Sequence, residues 1–176
     1  MSVICRRLEP GEEGAYRRLH LESLLTFPDN FGTRYEDQRL VEPLPFEDFI
    51  CTASEDNFVF GAFVEGELLG IAGFRREGRP KTRHRGEIVQ MFVGPEAQGR
   101  GVGEMLLRSV IEAAFDLPGI ESIELSAVAD NEAARKLYER VGFTTYGIRR
   151  RHFKSGDRYW DQRFMELHRE TYRPRF

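Results

Sequence analysis

Three glycines fall in one short run, Gln98-Gly99-Arg100-Gly101-Val102-Gly103, between an apolar strand pattern and an apolar helix pattern. Glycine lets a backbone take positive φ and approach a ligand closely. A helix beginning there offers unpaired N–H groups and the positive end of its dipole, which suits phosphate oxygens. Spacing narrows the choice of phosphate ligand. A dinucleotide fingerprint needs GxGxxG, and counted from Gly99 the third glycine comes one residue early, at Gly103. A Walker A loop needs GxxxxGK followed by Ser or Thr. Gly94 to Gly101 instead reads GPEAQGRG, with Arg in place of Lys and Gly in place of the hydroxyl residue. The pattern that does match is (Gln/Arg)-x-x-Gly-x-(Gly/Ala), at Gln98, Gly101 and Gly103. A tight turn without a ligand is the plain alternative.

Two further segments bear on that choice. Upstream, Glu87-Ile88-Val89-Gln90-Met91-Phe92-Val93 reads as the strand that leads into the loop. Downstream, Asn131-Glu132-Ala133-Ala134-Arg135-Lys136-Leu137-Tyr138-Glu139-Arg140-Val141-Gly142-Phe143 reads as a helix capped by Asp130 or Asn131 and stopped by Gly142. The Gln98 loop resembles the acetyl-coenzyme A pyrophosphate loop of the GCN5-related N-acetyltransferases (GNAT). The second segment is similar to that family's NxxAxxLYxxxGF motif, matched at Asn131, Ala134, Leu137, Tyr138, Gly142 and Phe143. Together the two are specific, and the order of elements extends the resemblance over roughly residues 3–168; the first 50 residues add little.

The resemblance implies an acyltransferase that moves acetyl from acetyl-CoA to an amine without a covalent acyl-enzyme. Such chemistry needs a base or water chain for the amine proton, a donor for the thioester oxygen and an acid for the leaving sulfur. Glu87 is the candidate base, at an offset from the glycine loop similar to that of the glutamate in the family's histone-acetylating branch. The plain reading of Glu87 is an ion pair with Arg83 or Arg85. Strand alternation places Glu87, Val89 and Met91 on one face. Tyr138 is the candidate acid, with a buried core tyrosine as the alternative. The Met91 N–H is the candidate oxyanion donor. Met91, Phe92 and Val93 would pair with the pantetheine arm as an added strand would, in a sheet that opens after Val93 at Gly94-Pro95. Gln98, Gly99, Arg100, Gly101, Val102 and Gly103 would hold the pyrophosphate, while Asn131, Ala134 and Tyr138 line the arm. No metal is expected, because the four histidines are scattered with no i,i+4 pair.

These residues require elements that position them. The apolar period switches repeatedly between two and about 3.6, as expected where strands alternate with helices. Strands are predicted at 3–8, 57–64, 68–75, 87–93, 120–128, 144–153 and 159–167, and helices at 12–26, 46–52, 102–118 and 131–140; residues 35–45 are ambiguous. The pattern reads as one α+β domain, and the resemblance implies a GNAT-like mixed, mostly antiparallel sheet of about seven strands, splayed after the fourth, with helices on both faces. Predicted core stripes are Ala15, Leu19, Leu21, Leu24 and Leu25 on the first helix, and Val102, Met105, Leu106, Val110 and Ala113 on the one after the loop.

A chain of 176 residues, 40% hydrophobic and 31% charged, reads as one soluble domain, 1–176. Within it, 87–143 would serve the cofactor, and 27–50 with 144–168 the acceptor. Net charge is -3, so nothing overall invites nucleic acid. The basic runs at Arg75–Arg85 and Arg149–Arg158 read as solvated loop and edge-strand charges. No apolar stretch is long and clean enough for a membrane span, and no leader pattern is present, so a cytoplasmic location is expected. Cys5 and Cys51 read as buried free thiols.

Phe31, Tyr35 and Tyr159 are the candidate acceptor contacts. The expected partner is the primary amine of a small molecule or amino acid. A protein N-terminal or lysine acetyltransferase is the alternative, a non-catalytic acyl-CoA sensor a third reading, and a homodimer is left open.

Overall fold

The computed structural model describes residues 2–174. Seven strands form one sheet in the order β1-β2-β3-β4-β5-β7-β6. They are β1 (Val3–Arg7), β2 (Asn57–Val64), β3 (Glu67–Arg76), β4 (Arg85–Val93), β5 (Ser122–Val128), β6 (Thr144–Ser155) and β7 (Arg158–His168). The helices are α1 (Glu13–Thr26), α2 (Tyr35–Gln38), α3 (Pro45–Cys51), α4 (Val102–Asp116) and α5 (Glu132–Val141). Every strand pair is antiparallel except β4 with β5.

That parallel pair is short. It joins Arg85 to Ser122, Gly86 to Ile123 and Glu87 to Glu124, and then stops, although β4 runs on to Val93 and β5 to Val128. The sheet therefore opens from Glu87, earlier than the Gly94-Pro95 position expected from the sequence. The cause lies inside β4. Gly73 pairs with Val89 and Ile71 with Phe92, so Gln90 and Met91 together oppose Ala72 alone. This is a β-bulge, and Gln90 sits in it at φ +56. A bulge bends its strand and turns later side chains over. Met91 and Val93 accordingly pack with Ile88 in one core, while Val89 and Phe92 pack in the other. The expectation that Glu87, Val89 and Met91 share one face fails at this residue.

The two cores occupy opposite faces of the sheet. On one, α4 contributes Val102, Leu106, Leu107, Val110, Ile111, Ala114 and Phe115 against Ile123, Leu125, Met165 and Leu167. Met105, predicted in that stripe, is 44% exposed, and the burial stripe runs one residue over, through Leu107 and Ala114. On the other face, Tyr16 and Leu19 of α1 and Phe46 and Ile50 of α3 cover Val59, Ile71 and Phe92. Leu25 faces solvent, and its predicted place in the α1 stripe is taken by Tyr16, His20 and Ser23. Both cysteines are free, but Cys51 is exposed and Cys5 only half-buried, against expectation.

Of the basic run Arg75–Arg85, Arg75, Arg79, Lys81 and Arg83 are exposed, and several of its side chains are also ion-paired. Arg76 bonds Asp56 at 2.9 Å, Arg83 pairs with the same carboxylate, and Arg85 meets Glu124 at 2.8 Å. Among the described residues no helix is long and apolar enough to cross a membrane.

Candidate active site

The splay between β4 and β5 opens a cleft of about 700 Å³. One wall is the end of β4 with the loop that follows. The Gln98 Nε2 donates to the Val93 carbonyl at 2.8 Å, which ties the loop back to the strand it leaves. That carbonyl, expected to serve the pantetheine arm, therefore has one of its two lone pairs already engaged. Gly99 and Gly101 take φ of +72° and +77°, and at both a Cβ would point into open space. Gly101 is the residue before α4, and Val102 and Gly103 of its first turn, whose N–H groups have no partner within the helix, line the cleft.

The opposite wall comes from β5 and α5. Asn131 caps α5, its Oδ1 accepting from the Ala134 N–H at 3.1 Å, and the amide nitrogen is left as a donor. Asn131, Ala134, Leu137 and Tyr138 all line the cleft. Tyr138 is 7% exposed, with its ring 6.1 Å from that of Phe143. Burial pushes its phenol up to about 12, so the hydroxyl keeps its proton at neutral pH.

Glu87 stands where the two strands part and lines the cleft. Its carboxylate pairs with Arg75 at 2.8 Å, directly across the β3–β4 register, and not with Arg83 or Arg85. Arg75 is more than half exposed, so this pair is a weak restraint on the carboxylate. Met91, Phe92, Val93 and Phe31 also line the cleft, whereas Arg100, Tyr35 and Tyr159 do not. The Tyr159 ring instead lies under Arg151 and Lys154.

Sequence reasoning missed several lining residues. Gln90, in the bulge, accepts at Oε1 from the buried Tyr16 hydroxyl at 2.7 Å. Ser126 and Gln162 meet across β5 and β7, Nε2 to Oγ at 2.9 Å. Phe27, Asn30 and Phe153 complete the side away from the glycine loop. Strand alternation gives the face that Gln162 occupies but not its neighbour, because β5 and β7 are far apart in sequence. Among the described residues no group of His, Cys, Asp and Glu is placed to hold a metal ion.

Comparison with known proteins fits this arrangement. The model of the acetyltransferase (GNAT) family matches residues 16–143. The chain belongs to that family. An N-alpha-acetyltransferase RimI of Mycobacterium tuberculosis is 40% identical over 103 residues, covering 58% of this chain and 61% of the relative. A mycothiol acetyltransferase of Paenarthrobacter aurescens is 36% identical over 92 residues, 52% of this chain but 28% of that protein. The chain thus spans less than two thirds of either relative. In fold, yncA of Salmonella typhimurium, a putative acetyltransferase solved with its cofactor acetyl-CoA, superposes with a TM-score of 0.79 at 20% identity, covering 96% of this chain and 94% of that one. A GNAT-family acetyltransferase from Streptococcus pneumoniae gives 0.77 at 21% identity, over 95% and 99% of the two chains. These matches fix the family and the fold.

Proposed function

We propose that this GNAT protein transfers acetyl from acetyl-CoA to a primary amine by direct attack within a ternary complex. The observation that carries this reading is that one cleft is lined at once by Glu87, the Met91 strand, the glycine loop and Tyr138. The residues suit the cosubstrate. Gly99 and Gly101 leave open space where side chains would project, and α4 begins immediately after them. Acetyl-CoA supplies the activated thioester carbonyl. Glu87 takes the proton that the amine must lose, directly or through water. The Met91 N–H donates to the carbonyl oxygen as negative charge develops there. Tyr138 gives its proton to the departing sulfur, a role for which a phenol held in its protonated form is suited.

The acceptor in this reading is the amine of a small molecule or amino acid. A protein N-terminus is the second reading, favoured by the 40% identity to the RimI relative. A thiol-release assay with acetyl-CoA against amines, amino acids and short peptides tests both. Acetyl-CoA binding without thiol release for any acceptor would instead support a non-catalytic acyl-CoA sensor.

A further inference from the structure

Gln90 is unusual in three ways at once. It is a non-glycine residue at φ +56, it forms the bulge that opens the sheet, and it lines the cleft between Glu87 and Met91. Strained backbone of this kind persists only where the surroundings hold it. Here the holding group is visible. Tyr16 is fully buried, and its hydroxyl donates to the Gln90 Oε1 at 2.7 Å. The Tyr16 ring is itself fixed, stacked on His20 at 5.7 Å and tilted against Phe46 at 6.4 Å. Burial raises the Tyr16 phenol above its ordinary range, so it serves as a donor throughout the neutral pH range.

A carboxamide whose oxygen is engaged from the core presents its nitrogen the other way. Among the described residues, none accepts from the Gln90 Nε2. That nitrogen carries two N–H donors and no acceptor capacity, so the atom it suits is an oxygen. Gln90 packs on the sheet face of Tyr16 and Phe92, opposite to Met91 and the α4 side where the glycine loop lies. The oxygen it would bind therefore belongs to the acceptor and not to the pyrophosphate.

We propose that Gln90 determines acceptor specificity by donating from Nε2 to a carbonyl or carboxylate oxygen carried beside the reacting amine, and that Tyr16 is the positioning residue that keeps the carboxamide turned that way. The inference rests on the acetyl-transfer reading above and deepens it. Its substrate class is the α-amino carbonyl unit, shared by free amino acids, their amides and peptide N-termini. Plain alkylamines and polyamines lack that oxygen.

The test is a thiol-release assay with matched acceptors. Amino-acid amides such as alaninamide, and alanyl tripeptides, are compared with branched alkylamines of the same shape, such as 3-methylbutan-2-amine. In Gln90→Leu, kcat/KM for the carbonyl-bearing acceptors should fall about 10-fold relative to the alkylamines, the scale of one lost hydrogen bond. Tyr16→Phe should shift the ratio in the same direction by less. Because Gln90→Leu strands a buried hydroxyl, the Tyr16→Phe/Gln90→Leu pair is measured too, with acetyl-CoA binding by calorimetry as the check on folding and as the control if alkylamines are not turned over. Free alanine, compared with the amide and tripeptide arms in the wild type, separates free amino acids from peptides as the source. A ratio that does not move in any of these variants, or a wild type that acetylates alkylamines alone, overturns the role of Gln90. Acetyl-CoA binding with no thiol release for any acceptor overturns the acetyl-transfer reading instead.

Discussion

The two sides of the cleft are built by different means. Toward the glycine loop, where both walls contribute, function follows from local sequence: Gln98 to Gly103 on one wall and Asn131 to Tyr138 on the other are contiguous runs whose residues line the cleft. On the other side, polar groups arrive singly from distant elements. Gln90 is fixed by Tyr16, 74 residues away, and Ser126 meets Gln162 across 36. A surface made of backbone N–H groups and glycines recognises a ligand common to many proteins. One made of side chains brought together by register is free to change its partner.

The largest effect is expected at Tyr138. If the loop side holds the cosubstrate while Tyr138 serves the chemistry, Tyr138→Phe should lower kcat about 100-fold or more, within the usual range for a lost general acid. Acetyl-CoA binding by calorimetry should change little. Activity close to wild type would remove Tyr138 from the mechanism and leave it a core tyrosine.

A second test separates the sides by acidity. His20, behind Tyr16, is 3% exposed with both ring nitrogens lacking partners, and burial lowers its pKa from 6.5 to about 4. Below pH 6.5 the unfolded chain takes up a proton that the native protein refuses until about pH 4. Stability should therefore fall as pH drops through that window, by about 2 kcal/mol at pH 5 from this group alone. His20→Phe should lack that part of the loss, read from urea midpoints at pH 7 and pH 5. Parallel pH dependence in the two proteins would contradict it.

The third test is smaller and lies within the loop. Gly101 sits at φ +77, where a side chain is strained whatever the space. Gly103 lies inside α4, and a Cβ there would meet nothing nearer than Leu137 at 3.6 Å. Gly101→Ala should raise the KM for acetyl-CoA about 10-fold, from a left-handed backbone cost of about 1–2 kcal/mol. Gly103→Ala should leave it nearly unchanged. Equal effects would mean that both glycines serve close approach to the ligand, not backbone conformation. Least of all, Met105→Ala on the exposed face of α4 should alter stability by no more than about 0.5 kcal/mol.

The same contrast explains what could be read before the fold was known. Periodicity located β2 at its observed bounds and the other strands to within about two residues at each end, and it found α1, α3, α4 and α5. The four-residue α2 is too short to carry a period. The bulge at Gln90 left no trace, because nothing in Val89-Gln90-Met91 distinguishes an extra residue from ordinary alternation. That one residue moved Met91 to the other face and began the splay at Glu87. Arg75 was overlooked as the partner of Glu87 because the pair is set by the β3–β4 register, whereas Arg83 and Arg85 were nearer in sequence. Tyr35 and Tyr159 lie off the cleft because residue type fixes neither where the connection from α1 to α3 runs nor that the start of β7 lies against the end of β6, with the Tyr159 ring under Arg151 and Lys154.

The central claim is that the cleft performs transfer and does not merely bind. Mass spectrometry of reactions with acetyl-CoA and a panel of amines, amino acids and peptides, alongside thiol titration, measures it directly. The account predicts free thiol and N-acetylated acceptor in equal amounts for at least one primary amine, with acceptors bearing an α-carbonyl foremost. Saturable acetyl-CoA binding with neither thiol nor acetylated product would contradict it.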